Sequence, residues 1–428
     1  MEQYAQMKNS GVGWIQDIPA NWGVRVLFQL ADQVKNKNKD LSEKNLLSLS
    51  YGRIKRKDID SPEGLLPESF DGYNIIEADD IVLRLTDLQN DHTSLRVGQA
   101  KERGIITSAY TTLRPSNLVN PQYLYYVIHA YDLIKGFYGM GAGVRQGLNY
   151  DEVKTIKVPF PPLEEQNRIV AYLDDQVSQI DSIIKDTKGI VEELKQWRKS
   201  IILEAVSTGS RSSLLYKTHN QWITELPHGI KLSSVGLHFN LILGKMLCPK
   251  QPDPTYSLEP YYCAANVHFN GIDDTELKSM WFNSEEKERY AVKSGDLLVV
   301  EGGAGAGGCA VAYPSQMVYV QNSIIIVRPK RGVDVRYLKY LLEMLVSRGY
   351  VDFVCNKATI PHFTKEKLSN VPFPVFPETE TKELCDYLDS QYSQIENMIS
   401  TKESLINDLD YYKRSLIYEA VTGKRKAV

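Results

Sequence analysis

The chain has 428 residues, 43% hydrophobic and 24% charged, an ordinary globular composition with enough length for two or three domains. Its formal net charge of −3 gives no overall positive field, so any polyanion must meet a local basic surface. The cysteines, Cys248, Cys263, Cys309, Cys355 and Cys385, are odd in number, form no C-x-x-C pair and all lie in the second half, which excludes a disulfide framework across the chain and fits a reducing, cytoplasmic setting. The start, "MEQYAQMKNSGVGW", has no apolar signal region, and no segment reaches 18 unbroken apolar residues, so neither secretion nor a membrane span is expected.

In chain order, "WIQDIP" from Trp14 opens the first globular stretch. A basic, polar run follows, with Lys35, Lys37, Lys39, Arg53, Lys55, Arg56 and Lys57. "NIIEADDIVLRL" predicts strand approached through an acidic turn. "GIITSAYTTLRP" predicts β structure ending on Arg114-Pro115, and "PQYLYYVIHAYDLI" has helical periodicity. Pro159, Pro161 and Pro162 then hold off a helix of about 45 residues that ends at Gly209.

The second half repeats this order. "WITELP" from Trp222, "YAVKSGDLLVVEG", "MVYVQNSIIIVRP" and "VRYLKYLLEMLVSRGY" predict the same elements, and a second long helix runs from beyond Pro377 to Gly423. "YLDDQVSQID" at Tyr172 recurs as "YLDSQYSQIE" at Tyr387, 215 residues on, in a register that brings Glu204 opposite Glu419. "RPSNLVNPQYLYYVIHAY" from Arg114 matches "RPKRGVDVRYLKYLLEML" from Arg328. The halves are two copies of one unit. Between the shared pieces they diverge: "KNKNKDLSEKNLLSLSYGRIKRKDID" has no counterpart in "NLILGKMLCPKQPDPTYSLEPYYCAANVHFNG".

Each long helix carries a heptad-like seam. The first has Ile169, Leu173, Gln176, Ile180, Ile183, Thr187, Ile190, Leu194, Trp197 and Ile201. The second has Leu384, Leu388, Gln391, Ile395, Met398, Lys402, Leu405, Leu409, Tyr412 and Leu416. Such seams predict coiled-coil packing of the two helices on each other, with charged outward faces at Asp174, Asp175, Glu192, Glu193, Lys195 and Arg198.

The paired "WIQDIP"/"WITELP" starts, the "VPFPPLEEQNRIVAYLDDQVSQIDSII" helix entry, the "EAVSTG"/"EAVTG" exits, "EADDIVLRLTDLQND" and "GIITSAY" together resemble the specificity subunit of type I DNA restriction–modification enzymes. The second helix entry, "VFPETETKELCDYLD", departs from the family's Pro-Leu-x-Glu-Gln run. The resemblance covers essentially the whole chain. It implies a mixed α/β chain with two tandem target-recognition domains separated by two long antiparallel coiled-coil helices. The boundaries are 1–161 for the first recognition domain and 162–209 for the central helix, then 210–376 for the second domain and 377–428 for the distal helix.

The resemblance also implies a non-catalytic subunit. Each domain reads one half of a bipartite, asymmetric double-stranded DNA target, and the helices set the spacer. They also dock two methyltransferase subunits, which act on adenine N6 with S-adenosylmethionine, and restriction/translocase subunits using ATP and magnesium join in turn. No cofactor is expected on this chain. Alternatives are the specificity part of a methylation-only system, or a coiled-coil adaptor that binds no DNA.

The residues agree with a non-catalytic role. No Asn/Asp-Pro-Pro-aromatic motif and no G-x-x-x-x-G-K-[ST] loop is present, since Gly244-Lys245 and Gly423-Lys424 run into Met246 and Arg425. The seven histidines form no H-x-x-x-H or Cys/His ligand cluster. Gly303, Gly305 and Gly308 match G-x-G-x-x-G, but Pro314 cuts short the helix a dinucleotide site requires. The loop reads either as a side-chain-poor turn between strands or as backbone able to approach DNA. DNA readers combine Lys/Arg contacts to phosphate with polar contacts to base edges. On that basis the first-half candidates are Lys55, Arg56, Arg84, Thr86, Gln89, Thr107, Ser108, Arg145 and Gln146. Those of the second half are Lys245, Asn266, His268, Lys278, Gly303, Gly305, Gln321, Asn322, Lys357 and Thr359.

Overall fold

A computed structural model describes residues 4–59, 69–88, 90–91, 93–140, 147–209, 214–330, 332–355 and 361–427. The chain forms two compact units, Met1–Lys188 with Glu403–Val428, and Gly189–Lys402.

The first unit contains, in chain order, β1 (Ala31–Gln33), the hairpin β2 (Leu47–Ser50) and β3 (Arg53–Arg56), β4 (Ile81–Leu83), β5 (Val97–Gln99), β6 (Thr111–Pro115) and helix α1 (Pro121–Leu133). Four strands make an antiparallel sheet in the order β1-β6-β4-β5. Side chains alternate across a strand, and β4 is covered on both faces. Ile81 and Leu83 join the core beneath α1, while Val82 packs with Leu47 and Leu49 of the hairpin. Pro121 starts α1, and the Asn120 side chain caps it by accepting from the N–H groups of Gln122 and Tyr123.

Helix α2 (Leu163–Thr208) begins in this unit and ends in the other. The second unit then adds β7 (Phe239–Leu243), β8 (Ser257–Tyr262), β9 (Lys278–Phe282), helix α3 (Ser284–Tyr290), β10 (Leu297–Val300), β11 (Cys309–Val311), β12 (Tyr319–Val320), β13 (Ile324–Pro329) and helix α4 (Val335–Ser347). Its four-stranded sheet is also antiparallel, in the order β7-β13-β10-β11, so each strand has the neighbours of its counterpart in the first unit. Leu297 and Val299 face the core with α4, and Leu298 and Val300 face inserted strands carrying Tyr262 and Val320.

The repeated acidic turn and Arg-Pro have one explanation. The Arg114 guanidinium donates to both oxygens of buried Asp80 at 2.8 and 2.6 Å, and Arg328 donates to both oxygens of buried Asp296 at 2.9 Å. Each aspartate also accepts from a turn N–H, that of Glu77 or Lys293. A two-pronged ion pair therefore ties the turn before the central strand to the strand beside it.

Helix α5 (Glu378–Val421) completes the chain. In the first unit its C-terminal stretch lies antiparallel to the start of α2: Arg425 is beside Tyr172, and Lys413 reaches Asp181 at 2.7 Å. In the second unit its N-terminal stretch lies antiparallel to the end of α2. Arg198 pairs with Glu396, and Val191 packs on Ile395 and Ile399. Gly209 and Gly423 end the two helices at φ +64° and +72°.

Over its middle the expected seam holds at Thr187 and Ile395 and is displaced by one residue at Ile184, Val191 and Ile399. Ile184, Thr187 and Val191 are the buried positions on α2, while Ile183, Ile190 and Trp197 are 48%, 41% and 47% exposed. On α5, Ile395 and Ile399 are buried, and Met398, Leu405 and Tyr412 are 39%, 39% and 41% exposed. The buried positions follow the 3.6-residue repeat of a straight helix, which drifts away from a strict heptad.

Gly244 is a point of close backbone approach. A Cβ there would lie 2.4 Å from the Gln321 carbonyl oxygen, while its N–H donates to Ile324 O at 3.0 Å. Gly244→Ala is expected to destabilise the second unit by roughly 1–3 kcal/mol. A denaturant midpoint equal to that of the parent would refute this.

Candidate nucleic-acid interface

In the first unit the divergent segment folds as the β2–β3 hairpin. Its turn places Tyr51 and Gly52 at φ +47° and +75°, the two left-handed residues of a tight hairpin turn, and leaves the Tyr51 ring 79% exposed at the tip. Strand alternation sorts the basic run. Ile54 turns inward, so Arg53 and Lys55 share the exposed face of β3, and Lys57, just past the strand, is exposed as well. Arg56 points the other way, and its guanidinium is held by the Glu102 carboxylate, with Nε 2.7 Å from Oε1.

The loop after β4 is ordered around Arg96, whose side chain is fully buried. Arg96 Nη1 donates to Thr86 O at 2.6 Å, Nη2 to Asp87 O at 3.1 Å and to Asp91 O, and Nε to the Tyr138 hydroxyl at 3.2 Å. Hydrogen bonds from Ser94 and Thr93, with the Arg96 charge, hold the Asp91 carboxyl well below the usual carboxylate range. This leaves Thr86 exposed and Arg84 half-buried, 3.8 Å from Asp91. Thr107 and Ser108 lie in the turn before β6, where Thr107 Oγ1 accepts from the Ala109 N–H. Gln89, Arg145 and Gln146 lie outside the described residues.

In the second unit two candidates are corrected. Lys245 is 8% exposed, its ammonium ion-paired to Glu286 with Tyr256 and Phe282 over it at 5.2 and 5.6 Å. A cation so enclosed and neutralised cannot meet a phosphate without breaking the fold. Asn266 is 7% exposed and satisfies backbone: its Oδ1 accepts from Cys263 N at 3.0 Å and its Nδ2 donates to Asp273 O at 3.1 Å. His268 and Lys278 are exposed. Gln321 and Asn322 lie in the β12–β13 turn, where Gln321 Nε2 donates to Asn322 Oδ1 at 2.8 Å and Ser323 Oγ donates to Gln321 Oε1. Hydrogen bonds thus bring Gln321, Asn322 and the Lys245 backbone together. Lys357 and Thr359 lie outside the described residues.

The glycine-rich loop joins β10 to β11 with no helix after it, so it lacks the geometry of a dinucleotide fingerprint. Gly303, at φ +90°, donates its N–H to Pro361 O at 3.2 Å, and Gly308 donates to Gly305 O at 2.8 Å. Gly307, outside the motif spacing, is the most constrained. Its φ is +84°, and a Cβ would meet Val351 at 2.7 Å. Gly305 remains exposed.

Sequence reasoning missed Tyr51, although the Tyr-Gly pair between alternating strand residues signals a hairpin tip. It also missed the organising role of Arg96, which has no motif and only a tertiary cause. Among the described residues, no cluster of His, Cys, Asp or Glu is placed to hold a metal ion, and no helix is long and apolar enough to cross a membrane.

Comparison with known proteins agrees with this architecture. A family model described as the type I restriction modification DNA specificity domain matches residues 72–196 and 251–406. The chain is 22% identical to a putative type I restriction enzyme specificity subunit, MjaX, of Methanocaldococcus jannaschii, covering 99% of this chain and 98% of that one. It is 23% identical to the StySPI specificity subunit of Salmonella potsdam over 69% of this chain and 65% of that one. The fold matches a chain from a type I restriction–modification assembly with a TM-score of 0.69 at 16% identity, covering 94% of this chain and 98% of that one. It also matches the HsdS subunit of Thermoanaerobacter tengcongensis with a TM-score of 0.52 at 15% identity, covering 95% and 98%. With two copies of one recognition scaffold, each elaborated differently, and a family match over most of its length, the chain belongs to the type I restriction–modification DNA specificity subunits, the non-catalytic members of those enzymes.

Proposed function

We propose that each unit reads one half of an interrupted, asymmetric DNA target. What supports this reading is one scaffold carrying two unrelated elaborations. Tyr126 donates to Asp174 in the first unit as Tyr340 does to Asp389 in the second, and Tyr123 donates to Val421 O as Tyr337 does to Val206 O. Over this constant frame, the hairpin presents Tyr51, Arg53, Lys55 and Lys57, whereas the β8, β9 and α3 segment presents Lys278, with His268 close by. In this reading the exposed cations position the protein on phosphates, and Thr86, Ser108, His268 and the exposed Gly305 backbone lie at the bases.

The helices serve as docking rails for two methyltransferase subunits, through which restriction/translocase subunits join. Supporting this, each helix leaves large apolar side chains exposed at seven-residue spacing: Ile183, Ile190 and Trp197 on α2, and Met398, Leu405 and Tyr412 on α5. Arg198, expected on the outward face, is instead enclosed by Glu343 and Glu396. S-adenosylmethionine and magnesium–ATP are then requirements of the partner subunits.

Reconstitution tests the proposal. The chain alone is expected to transfer no methyl group. With a cognate methyltransferase subunit it is expected to direct adenine methylation to a two-part motif, and native mass measurement is expected to give two methyltransferases per chain. Trp197→Glu is expected to weaken that association at least about tenfold. Saturation at one methyltransferase, or unchanged binding by Trp197→Glu, would count against docking on the helices.

A further inference from the structure

Asp132 lies in the last turn of α1 and is fully buried. Its Oδ2 accepts from the Arg96 backbone N–H at 2.6 Å, where the loop carrying Arg84 and Thr86 rejoins the sheet at β5. We propose that Asp132 is the positioning residue of that DNA-reading loop, acting through Arg96, and that it makes the first unit's half of the target the one whose reading depends on pH. This rests on the assignment of one target half to each unit.

A carboxylate is a costly group at this place. Burial disfavours its charge, and the carbonyl end of a helix repels it. Its Oδ1 is buried and accepts no hydrogen bond among the described residues. The charged groups facing it are Arg96, just before β5, and Lys135, in the turn after α1, while Tyr125 of α1 is a neutral titratable neighbour. Asp91, 3.7 Å from the Arg96 guanidinium, is the second carboxylate of the cluster. Burial outweighs the Arg96 N–H and both cations and pushes the Asp132 carboxyl up to about 6. A proton therefore goes onto the unpaired Oδ1 as the pH falls below neutral. Oδ2 is then a neutral carbonyl, a weaker acceptor for the Arg96 N–H, and the Arg96 guanidinium loses a nearby negative charge. That guanidinium holds the carbonyls of Thr86, Asp87 and Asp91, so protonation of Asp132 loosens the whole loop.

The internal repeat separates this role from the needs of the scaffold. In the register that relates Arg114 to Arg328, Val346 takes the place of Asp132. Gly308 precedes β11 as Arg96 precedes β5. Val346 packs beside the neighbouring Gly307, where a Cβ would lie 2.9 Å from it. An apolar side chain against glycine thus closes the corner that a carboxylate and an arginine close in the first unit. Helix α4 and its sheet form on that valine, so the shared scaffold does not require a carboxylate there. What differs is the loop: the first unit's runs from Arg84 to Arg96 and is held from within by a buried guanidinium, whereas the second unit's is the shorter glycine-rich turn.

Footprinting of the full chain with a cognate methyltransferase subunit, on a duplex carrying both half-motifs, tests this from about pH 7.5 down to about pH 5. Affinity for the first unit's half is expected to fall about fivefold over that range. Asp132→Asn keeps the shape and an acceptor oxygen but cannot ionise. It is expected to bind that half about fivefold more weakly than the parent at the upper pH, with no further loss on acidification. Its reading of the second unit's half is expected to follow the parent throughout. Stability moves with the opposite sign. The carboxyl titrates at about 6 in the folded chain against an ordinary 3.8, so the buried charge is relieved as the pH falls through 6. The denaturant midpoint of the parent is therefore expected to rise relative to that of Asp132→Asn while its affinity for the first half falls. Midpoint and affinity falling together would mean partial unfolding and would overturn the proposal. An equal pH response in parent and Asp132→Asn would also overturn it, leaving the assignment of halves intact. Failure of either unit to protect a half would overturn both.

Discussion

Arg96→Ala is expected to cost the first unit about 3–5 kcal/mol, among the largest effects of any single substitution in this chain. The side chain is fully buried, and its guanidinium holds three loop carbonyls, those of Thr86, Asp87 and Asp91, together with the Tyr138 hydroxyl. Truncation leaves a cavity and unpaired carbonyls, and removing one side of a buried polar network costs far more than the network contributes net. The loop it holds carries Arg84 and Thr86, so the half of the target assigned to the first unit is expected to lose protection while the other half is retained. Arg96→Lys keeps the charge but has no planar fork to reach three carbonyls, and an intermediate loss is expected. Chemical denaturation with footprinting on the methylated motif measures both quantities. A parent-like denaturation midpoint for Arg96→Ala would show that the loop is held by other contacts.

Exchanging residues 1–157 for the corresponding module of another family member is expected to change one half of the methylated motif completely and leave the other half intact. The structure adds a condition. The first module is bound to the end of α5: Tyr418 donates to Trp14 O at 2.7 Å, Lys424 Nζ donates to Ile15 O at 2.7 Å, and a Cβ on Gly423 would lie 2.2 Å from Pro19. These residues belong to one compact unit although some 400 positions separate them, with Tyr418 and Trp14 404 apart. An exchange that also carries residues 403–428 is therefore expected to melt higher than one confined to 1–157, with the same new half-motif. Sequencing of modified adenines together with thermal unfolding reads both. A change in both half-motifs would refute the assignment of one unit to one half.

Several features were legible because they are local or repeated. The duplicated order of strand, Arg-Pro, helix and long helix follows from periodicity and proline placement, and both sheets have the same strand order. The αL glycines ending α2 and α5 lie at Gly209 and Gly423, where the helical pattern stops. The glycine-rich stretch at 302–308 was separable from a nucleotide loop because Pro314 left no room for the required helix.

The rotation of the long helices was not legible, for a physical reason. Both carry adjacent apolar pairs, Ile183 with Ile184 and Ile190 with Val191 on α2, and Met398 with Ile399 and Leu405 with Ile406 on α5. Two neighbouring stripes satisfy the same spacing, and only tertiary packing, such as that of Val191 on Ile395 and Ile399, chooses which turns inward. Charge was ambiguous in the same way. Lys55 and Lys245 are indistinguishable as letters, yet one lies on an exposed strand face and the other is closed in by Glu286, Tyr256 and Phe282. By itself the sequence determined the repeat and the element types, which rest on local propensity and spacing, and its motifs carried the resemblance to the family. Which cations face outward, which loops Arg96 fixes and where Asp132 meets the Arg96 N–H were decided only by tertiary contacts between residues far apart in the chain, because burial and pairing depend on neighbours that spacing does not specify.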